Sequence, residues 1–197
     1  MLKGFNIILL SFFLLTQACN REHKIETNEV YLVSPDITVS ITDTALIFHV
    51  DTLYFKDKKF FGTVYALYPN LDTAYKGKYI NGLEDGLHIK WYPNKQLSES
   101  RLYKQGKKIG KHIGYWEDGN LKFEYYFTNG EHDGPLNEWY QGGQQYKEFH
   151  YKNGYEEGSE KMWWENGSIR ANYVVKNGRR YGLIGLKLCM NPVDSVK

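Results

Sequence analysis

His88 and His112 are the first residues to test for chemistry, because imidazoles at a fixed spacing often begin a metal site. They lie 24 residues apart, at one phase of a repeating pattern. On neighbouring hairpins of a sheet that phase puts them two strands, about 10 Å, apart. One zinc with bonds of about 2.1 Å cannot take both, so no metal is expected. The paired acids Glu84-Asp85 and Glu156-Glu157 fall in turn regions. No basic partner recurs with them at a fixed phase, as acid–base work would need, and they read as solvated turn residues. Ser and His occur without a motif that aims a nucleophile. The glycines follow no phosphate-loop pattern. Lys107-Lys108, Lys111 and Arg179-Arg180 are short basic patches, suited to plain surface or to anionic lipid. The expectation is a protein that is not an enzyme, with no catalytic residues and no cofactor.

The elements that carry these residues repeat. Glycine recurs at 82, 106, 130, 154 and 178, always 24 residues on, and a second register holds at 86, 110, 134, 158 and 182. An aromatic pair follows at fixed phase: Trp91-Tyr92, Tyr115-Trp116, Trp139-Tyr140 and Trp163-Trp164. A turn signal comes next, at Pro93-Asn94-Lys95, Asp118-Gly119, Gly142-Gly143 and Asn166-Gly167. Each unit closes on a strand-forming run such as Tyr125-Tyr126-Phe127, then Asn-Gly, or Gln105-Gly106 in one case. An eroded copy, "GTVYALYPN" from Gly62, aligns with "GLHIKWYPN" from Gly86. Asn-Gly and Asp-Gly supply the positive φ of tight hairpin turns, so two turns per unit make each unit a β-hairpin. A single hairpin is marginal, whereas a row of them shares its buried face. The fold class expected is all-β: an elongated antiparallel β-meander of 24-residue hairpin repeats.

"NGEHDGPLNEWYQGGQQYKEFHYKNG", Asn129 to Gly154, resembles the MORN-repeat variant family of bacteria, whose members include antitoxin-like proteins. The resemblance covers about residues 58 to 185. It implies an extended β-meander and carries no catalytic residues to transfer.

Assuming a two-residue second turn, directly paired residues share a face. The core side then takes Tyr92, Trp116, Tyr140 and Trp164 with Leu97, Leu121 and Ile169, followed by Tyr125, Phe149, Tyr173, Phe127, Tyr151 and Val175. The opposite face takes Trp91, Tyr115, Trp139 and Trp163 among Lys122, Glu124, Tyr146, Glu148, Arg170 and Asn172. Trp, Tyr and Arg are enriched where proteins bind partners. The candidate contact residues are therefore Trp91, Tyr115, Trp139, Trp163, Tyr146 and Arg170. The same aromatics also suit a cross-strand ladder that only stiffens the sheet, and both readings stand at this point.

The first residues are a different material. Lys3 precedes the apolar run Phe5 to Leu15, too short to span a bilayer comfortably, and "TQAC" follows. This has the shape of a signal peptide. It resembles the lipoprotein class, which implies cleavage after Ala18 and lipid on Cys19; Thr16 stands where that class prefers Leu. Ordinary secretion is the alternative. With Cys19 lipidated, Cys189 has no partner and no disulfide is expected. Asn20 lacks the Asp that retains some lipoproteins in the inner membrane, which points to the outer membrane.

The domain reading is a signal peptide at 1–18, a lipid-anchored tether at 19–29, an N-terminal β cap at 30–57, the repeats at 58–185 and a C-terminal cap or tail at 186–197. The formal net charge of +2 offers no basic excess for nucleic acid. The partners expected are the membrane, through the lipid, and an unknown protein. A toxin bound by an antitoxin or immunity protein, and an envelope glycan, are the alternatives.

Overall fold

The computed structural model describes residues 37–185. The expected signal peptide with Cys19, the expected tether, the start of the expected N-terminal cap and the segment from 186 with Cys189 lie outside the described residues. The chain is all-β, as the repeat spacing predicts.

Strand β1 (Ile37–Ser40) is followed by a small sheet of β2 (Leu46–His49), β3 (Thr52–Phe55) and β4 (Lys58–Lys59). The repeats supply five hairpins. The first pairs β5 (Gly62–Leu67) with β6 (Thr73–Ile80), and the short β7 (Leu83–Glu84) continues from it. The second pairs β8 (Gly86–Trp91) with β9 (Leu97–Lys104), continued by β10 (Lys107–Lys108). The third pairs β11 (Gly110–Tyr115) with β12 (Leu121–Thr128), and the fourth β13 (Glu131–Trp139) with β14 (Gln145–Lys152), continued by β15 (Tyr155–Glu156). The fifth pairs β16 (Gly158–Trp163) with β17 (Ile169–Lys176), and β18 (Arg179–Leu183) closes the described sheet. The order is β1-β5-β6-β8-β9-β11-β12-β13-β14-β16-β17-β18, an open meander whose one parallel pair is β1 with β5.

The two turns of each unit differ. The Asn-Gly turns are two-residue loops: Asn129 and Gly130 have φ of 53° and 98°, and Thr128 pairs Glu131 directly. Both residues are left-handed, the requirement that selects Asn-Gly. The second turn has three residues. Gly119 N–H donates to Trp116 C=O at 2.9 Å, Trp116 N–H donates to Asn120 C=O at 2.8 Å, and Gly119 has φ 88°. This is a type I turn followed by a left-handed residue, and it leaves a bulge beside each first aromatic. Tyr115 pairs Leu121 while Gly114 pairs Phe123, so Lys122 is the extra residue. The same slip recurs at Trp91, Trp139 and Trp163.

One face of the sheet carries the core. At the amino end Val39, Leu53, Phe60, Val64 and Tyr79 form one cluster, with β1 and the small sheet supplying its cover. At the carboxyl end Leu136, Phe149, Ala171, Tyr173 and Val175 form a second. Between them runs a spine of rings, Tyr79–His88–Tyr103–His112–Phe127–His132–Tyr151, with centroid separations of 4.2 to 5.6 Å. These rings shield one another, so the sheet buries apolar surface along its length in a single layer.

Candidate protein-binding face

The bulge corrects the expected placement of three residues of the return strands. Lys122, Tyr146 and Arg170, expected on the opposite face, meet the second aromatics instead, and Trp116 and Tyr140 line one recess with the core-side Phe123 and Tyr125. Lys122 Nζ lies 4.3 Å from the Trp116 ring, the Arg170 guanidinium 4.7 Å from Trp164, and Tyr146 meets Tyr140 edge-on at 5.2 Å. Trp164 is 50% exposed and Ile169 46%, outside any core. An extra residue on one strand reverses the alternation beyond it.

The second aromatics also fasten each unit to the next. Tyr68 Oη donates to Trp91 C=O at 2.7 Å, and Tyr92 Oη to Tyr115 C=O at 2.9 Å. Trp116 Nε1 donates to Trp139 C=O and Tyr140 Oη to Trp163 C=O, both at 3.1 Å. Asn94 and Asn120 add side-chain bonds to the carbonyls of Glu117 and Gln141. Each such bond contributes about 1 kcal/mol net. Their acceptors are the backbones of Trp91, Tyr115, Trp139 and Trp163, so the first aromatics are held in a row at one register position, each half-buried.

The structure brings together two of the six candidate contact residues. Trp139 and Tyr146 line a recess of about 280 Å³ with Trp116, Phe123, Tyr125 and Tyr140, and with Lys122 and Glu138 as its charged members. Lys147 Nζ meets Glu138 at 3.0 Å beside it, and burial together with the Glu138 charge pushes the Tyr125 hydroxyl up, keeping it neutral. Trp91, Tyr115 and Trp163 repeat the Trp139 position on other hairpins, and Arg170 stands apart on Trp164. The recess offers aromatic walls, one cation and one anion, which suits a protein surface.

The histidines take a structural place. Val64, His88, His112, Leu136 and Glu160 share one phase, and all are buried. Where one hairpin follows another, two extra residues widen the ladder: Tyr79 pairs Glu84, whereas Lys76 pairs Ile89. The polar members of this phase bond across that gap. His88 Nε2–H donates to Lys78 C=O at 2.8 Å, and His112 Nε2–H to Leu102 C=O at 2.9 Å. Glu160 instead accepts the His150 N–H, at 3.0 and 3.2 Å. Burial holds His88 and His112 below the usual imidazole range. Burial raises Glu160 to about 7, with the Glu156 and Glu148 charges adding to the rise against the His150 bond and Arg180. His88 Nδ1 accepts from Tyr75 Oη at 2.9 Å and Tyr75 meets Tyr79 Oη at 3.2 Å, which completes that network. Tyr103 stands between His88 and His112. Among the described residues no group of three His, Cys, Asp or Glu is placed to hold a metal.

The paired acids are more engaged than turn residues usually are. Glu84 is half-buried 3.5 Å from His88 Nδ1, and Asp85 accepts Gln105 N–H at 3.0 Å. Glu156 binds Arg180 through both oxygens at 3.0 Å. Sequence reasoning passed over Glu160 and the Lys90–Glu99–Arg101 group, whose contacts are 3.5 and 2.9 Å. The phase shared by His88, His112 and Glu160 was the signal available for the first of these.

No protein-family model matches the chain, and no curated protein matches it. The likeness to MORN-type repeats rests on the residues themselves.

Proposed function

We propose that this is a non-enzymatic, lipid-anchored protein of the cell envelope whose repeat sheet is a binding scaffold for another protein. The observation that carries the reading is the row Trp91, Tyr115, Trp139 and Trp163. Each ring is half-buried, and each backbone carbonyl is bonded by the preceding unit. Aromatics presented on a fixed backbone lose little freedom on binding, the property that makes such residues dominate interfaces. Trp139 and Tyr146 walling one recess give the row an anchoring point. Lipid on Cys19 would attach the chain to a membrane, and Asn20 favours the outer one.

Crosslinked capture from the native membrane tests the reading, comparing wild type with the Trp139→Ala, Trp163→Ala double variant. A protein recovered with wild type and lost from the folded variant is the expected result. A wild type that recovers no protein overturns the reading.

A further inference from the structure

The Asn-Gly turns stack into a column, each bonded to the unit before it. Gly82 N–H donates to Phe60 C=O, Gly106 to Glu84, Gly130 to Lys108 and Gly154 to His132, at 2.7 to 2.9 Å. The next bond in the series would join Gly178 N–H to Glu156 C=O, and among the described residues it is not made. The space around each turn follows the same division. A methyl group at Gly106, Gly130 or Gly154 would touch the preceding unit, whereas at Gly178 it would meet nothing within 4 Å.

The missing bond leaves a cleft of about 590 Å³ lined by Tyr151, Tyr155, Glu156, Val175, Gly178 and Arg180. Tyr155 is 79% exposed on its wall. A free backbone donor and a free backbone acceptor flank this space, the pair that one peptide unit satisfies. Its charge is also distinctive. From Asn166 to Gly185 the chain carries Arg170, Lys176, Arg179 and Arg180 and no Asp or Glu. Arg180 is held by Glu156 and Arg170 lies on Trp164. Lys176 and Arg179, beside Gly178, are exposed and have no ion-pair partner among the described residues. Lys176 lines an adjoining recess that shares Tyr155, Glu156, Val175 and Gly178 with the cleft, together with Lys152, which Asp133 holds, and Glu157 as the opposing charge.

We infer that this cleft docks an extended, acidic peptide segment of a partner protein. The inference rests on the scaffold reading and gives it a second contact site. A peptide carbonyl accepts Gly178 N–H, a peptide N–H donates to Glu156 C=O, the adjoining side chain packs on Tyr155, and acidic side chains face Lys176 and Arg179. The chain's own residues 186–197 hold Lys187, Asp194 and Lys197, and a second copy would bring the same basic hairpin. Charge disfavours both occupants.

The test is selection of displayed random dodecapeptides on the full chain, followed by affinity measurement for the enriched sequences. Acidic peptides that lose about tenfold or more in affinity with Lys176→Glu, Arg179→Glu, and with Tyr155→Ala, are expected. Both sets of substitutions are at exposed positions, and unchanged circular dichroism checks the fold. Enrichment of neutral or basic peptides, equal binding by the charge-reversed variant, or no enrichment overturns the cleft assignment. Any of these leaves the capture experiment on the Trp row free to succeed, so the two readings fail separately. Self-association abolished by the charge reversal, without peptide binding, would overturn it in favour of a second copy.

Discussion

The two ends of the sheet are built from the same repeat and finished differently. At the amino end, β1 and the β2–β4 sheet cover the first hairpin, and Leu53 and Phe60 are 0% and 1% exposed. Leu53 N–H bonds Gly82 C=O, so the cover is tied to the first turn of the column. At the carboxyl end, all five residues of β18 are exposed, the turn column has lost its bond and Trp164 has no acceptor among the described residues. The buried polar phase changes too, from imidazoles that donate to a carboxylate that accepts. A repeat array must hide its first apolar face and its last. Here the first is sealed by apolar packing, while the last described hairpin presents cations and unpaired backbone groups, the features on which the peptide site is proposed.

Substitutions at the two ends should separate most widely. Phe60→Ala removes a buried ring and is expected to cost about 3–5 kcal/mol, against less than about 0.5 kcal/mol for Tyr181→Ala at the exposed edge; urea unfolding of both measures the gap. Equal losses would mean that the edge is covered. In the middle of the array, Gly114 lies directly opposite Phe123, whose ring occupies the space a Cβ would need. Gly114→Ala should therefore destabilise by about 1–3 kcal/mol through overpacking, read by the same titration.

The buried phase predicts pH dependences of opposite sign for its carboxylate and its imidazoles. Glu160 holds its proton more tightly in the fold than in the unfolded chain, so raising the pH from about 4.5 to about 7 removes stability. His88 and His112 of this phase, and His132 outside it, are held below their ordinary value of 6.5 by burial, so lowering the pH through 6.5 removes stability as the unfolded chain takes up protons first. Melting temperatures of Glu160→Gln across pH 4.5 to 7.5 should show a smaller fall toward neutrality, the remainder belonging to Glu84, which burial also raises, and should keep the fall toward acid. A variant with the wild-type profile would remove Glu160 from this role. The smallest expected effect concerns the unit-to-unit fasteners. Tyr140→Phe deletes a made bond and should cost about 1 kcal/mol, whereas Trp164→Phe, at the open end of that ladder, should stay within about 0.5 kcal/mol.

Glycines 24 apart, Asn-Gly pairs and aromatic runs make the hairpins and their order legible in the sequence, because turn chemistry and strand propensity act locally. The faces are less legible. Asp-Gly serves a two-residue loop and a three-residue loop alike, and Leu71 and Lys95 take the left-handed position of that loop with φ of 67° and 68° without being Gly. The extra residue that follows the loop brings Lys122 and Arg170 against Trp116 and Trp164. The acidic pairs mislead for a related reason: Glu84 and Glu156 stand beside a widened ladder, and widening is a property of two strands. The open cleft at Gly178 is invisible in sequence, since Asn177-Gly178 repeats the motif of turns that do close.

The measurement closest to the central claim is in-cell photocrosslinking with a benzoyl-phenylalanine placed in turn at Trp91, Tyr115, Trp139 and Trp163, with exposed Val50 of the amino-terminal cover as the control. A binding scaffold predicts one protein crosslinked from positions along the row and none from Val50. Crosslinks of equal yield at Val50, or none at any row position, would contradict it.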